Sequence, residues 1–107
     1  MDIYKETSPS GDLKHGHTVV GLTAVPLANL SFNCLRGILV RAPGPNDPVP
    51  NTNPVWVGRA AVSADSSEGR GGIPILPGAA IILPVDDPSK VYVISTAAGQ
   101  DIGWLCV

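Results

Sequence analysis

Prolines and glycines cut this chain into apolar runs too short to be helices, and their spacing decides its fold class. The 107 residues include 11 prolines and 12 glycines. Each proline fixes φ and removes a backbone donor, and each glycine loosens the chain, so together they act as turn punctuation. The apolar runs between them are Thr18–Val25 (TVVGLTAV), Cys34–Ala42 (CLRGILVRA), Val55–Ala61 (VWVGRAA), Ile73–Leu76, Ala79–Val85 (AAIILPV), Val91–Ser95 (VYVIS) and Ile102–Val107 (IGWLCV). No ten-residue segment carries the 3.6-residue period of an amphipathic helix. Leu27–Leu35 has room for one short turn. Short runs at roughly ten-residue spacing predict an all-β, single-domain β-sandwich or jelly-roll-like barrel of about 6–8 strands. Pro84 marks its run as an edge strand or a strand end.

The connections follow from the same punctuation. Pro43–Pro54 (PGPNDPVPNTNP) holds five prolines and reads as a long loop. Ser63–Gly72 (SADSSEGRGG) reads as a polar loop. Thr96–Asp101, with Gly99, has the length of a hairpin connection. In the last two runs apolar residues occupy both parities, as in Tyr92 beside Val93 and Trp104 beside Leu105. This pattern predicts two covered faces, one by a second sheet and the other by a subunit. Residues 1–17 are polar and without apolar periodicity, so they read as an N-terminal arm on a domain of residues 18–107.

Composition removes several classes of function. Apolar residues make up 44% of the chain and charged residues 15%, which excludes a disordered polar tail. The net charge is −2, and the seven cationic residues are scattered from Lys5 to Lys90, so there is no basic stripe for nucleic acid. No apolar run reaches the ~18 residues of a membrane-spanning helix, and no secretory signal is visible in the polar start. Cys34 and Cys106 lie in or beside apolar runs, and read as two buried thiols rather than one bridge.

Candidate chemistry is sparse. His15 and His17, two residues apart on an extended chain, point to one side. A metal site needs three or four ligands, and no further ligand lies near in sequence, so the pair reads as part of a solvated tail. A Ser-His-Asp triad would have to use the same segment. Asp86-Asp87 before Pro88 fits a turn in which an aspartate bonds nearby backbone amides. Gly69-Arg70-Gly71-Gly72 lacks the strand–loop–helix setting of a phosphate loop. Trp56 and Trp104, inside strand runs, read as core before interface. No enzyme, cofactor or metal is expected.

One long segment has a familiar pattern. NPVWVG from Asn53 is followed by a polar loop, then GIPILPG through Gly78, then DDPSKVYVISTAAGQ from Asp86 to Gln100 and a final apolar strand. With LRGILVRA (35–42) before it, this stretch covers about two-thirds of the chain. It resembles a group of small structural proteins of tailed bacteriophages. The resemblance implies a virion component of β-rich fold: a capsid decoration (cement) protein on the outer capsid surface, made in the host cytoplasm. The alternative is a fibre or tail module that binds a host receptor or glycan. The implied partner is the major capsid protein, with self-association as a homo-oligomer, a trimer before a dimer; no nucleic acid or membrane partner is implied. The arm and the proline-rich loop depart from the shared pattern, so partner contacts are assigned to Ile3, Tyr4, Lys5, His15, His17, Pro48, Val49 and Asn51, with Arg70 added from the polar loop.

Overall fold

The computed structural model describes residues 13–65 and 69–107. Ile3, Tyr4 and Lys5 lie outside them, as do the rest of residues 1–12 and positions 66–68 of the polar loop. The described chain is an all-β sandwich of eight strands: β1 (His15–Val20), β2 (Val25–Pro26), β3 (Ile38–Arg41), β4 (Val55–Gly58), β5 (Ile73–Ile75), β6 (Ala80–Leu83), β7 (Tyr92–Ser95) and β8 (Gln100–Cys106). One antiparallel sheet has the order β1-β8-β3-β6 and the other β2-β7-β4-β5. Strands adjacent in sequence thus sit at matching positions of the two sheets, and β5 and β6 form the margin at one side.

The period of two sorts side chains between core and surface. In β8, Gln100, Ile102 and Trp104 are buried while Asp101, Gly103 and Leu105 are half-buried. Val20, Leu27, Ile38, Val40, Val55, Val93 and Ile102 are wholly buried between the sheets. Trp104 packs at 5.5 Å from Phe32. Gly16 makes room for it, since a Cβ there would stand 3.1 Å from the indole ring. Trp104 is therefore core, whereas Trp56, on the outward parity of β4, is half-buried.

Four expectations need correction. First, Thr18–Val25 is not one strand. After Val20 the chain leaves the first sheet at Gly21, whose carbonyl accepts the Ser95 N–H at 2.8 Å, and it enters the second sheet only at Val25. Second, Thr96–Asp101 does not close a hairpin, because β7 and β8 belong to opposite sheets and the connection arches between them. Third, Cys34 and Cys106 are not free thiols. They form a disulfide across 72 residues, with Cα atoms 5.0 Å apart. The run-in to β3 returns alongside β8, so two cysteines remote in sequence meet at the end of the core, and Cys34 is buried. Fourth, strand structure begins at His15, so positions 15–17 belong to β1 and not to a tail.

The one helical turn among the described residues is at Pro88–Lys90, not at 27–35. Asp87 caps it, as the Asp86-Asp87-Pro88 sequence predicts: its carboxylate accepts the Ser89 N–H at 2.9 Å and the Ser89 hydroxyl at 2.8 Å. Those bonds hold the Asp87 carboxyl below its ordinary pKa, the backbone bond contributing most.

Candidate functional site

The proline-rich loop 43–54 is tied to the sheets by several hydrogen bonds. Five prolines keep it out of the sheets, and polar side chains at its base fix it to them. Gln100, at the start of β8, shares the inward parity of Ile102 and Trp104. A polar group there must find partners, because burying it unpaired costs about 1–3 kcal/mol. Its carbonyl oxygen accepts the Thr52 and Asn53 N–H groups at 2.8 and 3.0 Å, and its amide nitrogen donates to Thr52 Oγ1 at 3.1 Å and the Ala98 carbonyl at 3.2 Å. Asn51 binds the next β8 residue as a strand would. Its Nδ2 donates to the Asp101 carbonyl at 2.7 Å and its Oδ1 accepts the Asp101 N–H at 2.8 Å.

The other end of the loop is pinned by Asp47. Its carboxylate accepts the Gly44 N–H at 2.6 Å and an Arg41 Nη2–H at 2.9 Å. Arg41 comes from β3, so this bond joins the loop to the outer face of the first sheet. The Arg41 bond, reinforced by Gly44, holds the Asp47 carboxyl below its ordinary value. Gly44 also packs against Gly78, where a Cβ would lie 2.6 Å from the Gly78 Cα. Between these anchors the tip is bare: Pro48, Val49 and Pro50 are exposed, and Val49 at 78% is the most exposed large hydrophobic residue among those described.

The residues assigned as contacts therefore separate. Pro48 and Val49 sit together at the tip. Asn51 is only 8% exposed and its amide is committed to β8, so it supports the loop and does not present itself to a partner. His17 joins the outer surface near the loop, its Nδ1 3.2 Å from Asp101 Oδ1, on the strand residue whose backbone Asn51 binds. His15 lies two residues further along β1, on the same outward parity opposite Leu105. Arg70 belongs to a different loop. With Arg59 it lines a cleft of about 260 Å³ between residues 57–62 and 69–73. Among the described residues no three His, Cys, Asp or Glu side chains gather closely enough to hold a metal.

Gln100 and the disulfide are the elements that sequence reasoning missed. Gln100 had a usable signal, a polar residue in phase with Ile102 and Trp104. The cysteine pairing had none, since it depends on which strands become neighbours. Comparison of the chain with protein-family models, curated proteins and solved structures finds no match.

Proposed function

We propose that this chain is a bacteriophage virion protein that decorates the outer capsid surface, docking on the major capsid protein through the tip of the 43–54 loop. The observation that carries the docking surface is the contrast within that loop: a hydrogen-bonded base and a bare apolar tip of Pro48, Val49 and Pro50. A loop already fixed loses little conformational entropy when it docks. The resemblance in residues 35–42 and 53–107 supplies the virion context, and the low charge of the chain suits close packing on a lattice. A protein that binds the assembled shell but not its free subunits stabilises the shell by mass action. Many copies make weak single contacts sufficient.

The test is co-sedimentation of the purified chain with phage heads that lack it. The wild-type chain is expected to saturate the heads, and Val49→Asp to bind at least about tenfold more weakly, the effect of ~1.4 kcal/mol in one contact. Because Val49 is exposed, the variant keeps its fold. Wild-type chain that ignores heads but binds tails or host cells favours the fibre or tail module, for which the Arg59–Arg70 cleft is the candidate site.

A further inference from the structure

The segment from Ile73 to Val85 (IPILPGAAIILPV) has thirteen residues and not one polar side chain. It forms β5 and β6, which are the margins of both sheets on the same side of the sandwich. Ile73, Leu76 and Ile82 are 64%, 60% and 59% exposed, and Val85 is exposed as well. Natural sheet edges are blunted by charge, above all lysine, by proline or by being very short, so that they do not pair with other chains. β5 is three residues long with Pro74 at its centre, whereas Ala80–Leu83 of β6 carries neither charge nor proline.

The hydrogen-bond phase of β6 shows what its edge offers. The Ala42 N–H donates to the Ala79 carbonyl at 3.1 Å, and the Gly78 N–H to the Ala42 carbonyl at 2.8 Å. Antiparallel bonding alternates along the β3–β6 register, so Val40/Ile81 and Ile38/Leu83 are the bonded pairs. Ala80 and Ile82 therefore turn their N–H and C=O groups away from β3, toward the open edge. Pro84, with no N–H, ends the series.

We infer that this edge is the contact between two copies of the chain, with β6 pairing antiparallel to β6 of a second copy about a twofold axis at Ile81. In that register Ala80 of each copy faces Ile82 of the other, and four backbone hydrogen bonds form from groups that now point outward. The apolar outer row Leu105–Leu39–Ile82 continues onto Ala80 of the second copy. The half-buried Ile81 meets its own symmetry mate on the core side. Arg41, the one charged side chain on β3, already has its carboxylate partner in Asp47, so pairing brings no unneutralised charge to the seam. Such a contact uses the same patch on both copies and closes at two, in place of the trimer that lattice analogy favours.

The inference is independent of capsid binding and is tested without particles. In sedimentation velocity the purified wild-type chain is expected to run at twice the chain mass, and Ile82→Lys and Ala80→Lys as monomers with unchanged near-UV circular dichroism. Paired residues at a non-bonded antiparallel position lie about 4.5 Å apart at Cα, within disulfide range. An Ile81→Cys chain should therefore cross-link to itself under mild oxidation, at least about tenfold faster than Leu22→Cys, an exposed position on the opposite side of the sandwich. A wild-type chain that stays monomeric up to its solubility limit or sediments as a trimer, lysine variants that remain dimeric, or equal cross-linking of the two cysteine variants would overturn it.

Discussion

The 43–54 loop and the β5–β6 segment both combine prolines with exposed apolar side chains, yet they are stabilised in opposite ways. The loop has no ladder to join, so Asn51, Gln100 and Asp47 tie its backbone to β8 and to its own start, and apolar exposure is confined to the tip. The β5–β6 segment lies within the sheets, has no polar side chain, and leaves backbone groups of Ala80 and Ile82 open at an edge. A polar base makes the loop complete within one chain. The uncharged edge of β6, on the inference drawn above, is completed by a second chain. The two regions should therefore respond differently to substitution: the loop base through stability, the β6 edge through association.

The largest expected effect calibrates the comparison, because it touches neither region. Removing the Cys34–Cys106 bridge, by reduction or by Cys34→Ser, frees a 72-residue connection in the unfolded chain. The loop-entropy relation places the loss at about 4 kcal/mol. Denaturant unfolding with and without reductant should show that loss, while dimer mass and head binding of the still-folded chain stay unchanged. A reduced chain that unfolds no more easily contradicts the bridge.

Next come the loop anchors. Asn51→Ala strands the N–H and C=O of Asp101 in a part-buried setting, and Gln100→Ala does the same to the Thr52 and Asn53 amides. Each is expected to cost about 2 kcal/mol in denaturant unfolding and to weaken head binding by loosening the tip. Loss of stability without loss of binding would detach the tip from the contact.

The Arg41–Asp47 pair gives a smaller, pH-dependent effect. The Asp47 carboxyl lies below its ordinary value of 3.8 in the folded chain. Its contribution is therefore complete above that value and is lost as pH falls through the depressed one. Arg41→Gln should flatten this acid-side loss and leave stability near neutrality almost unchanged, since the pair is substantially exposed. An unaltered acid profile would show that the pair is not coupled to folding. The smallest stability effect belongs to Ile82→Lys, within about 0.5 kcal/mol for an exposed site when both chains are compared at concentrations low enough for wild type to be monomeric, because at higher concentration the dimer itself adds stability. A large loss at that dilution would mean that β6 is closed within one chain.

Much of this architecture was legible in the residues. Proline and glycine spacing gave the all-β class, the 43–54 loop and the break after Leu83, and Asp87 before Pro88 gave its cap. What failed depended on tertiary neighbours. The TVVGLTAV run has no strong breaker, and only the bond from Ser95 to Gly21 explains why the chain changes sheets there. A six-residue connection with Gly99 fits a hairpin and an arch equally well in sequence. Cys34 and Cys106 meet because β8 lies beside β3. At the candidate site, Pro48 and Val49 were accessible to reasoning from the proline pattern, while Asn51 looked like a surface residue because nothing local announces that its amide reaches β8.

The central claim is that this protein coats a shell, and the most direct measurement is its copy number in purified phage particles, by quantitative mass spectrometry against the major capsid protein. Copies in fixed stoichiometric proportion to the capsid subunits, retained with the heads and absent from the tails on fractionation, are the predicted result. A handful of copies per particle, retained with the tail, would contradict it.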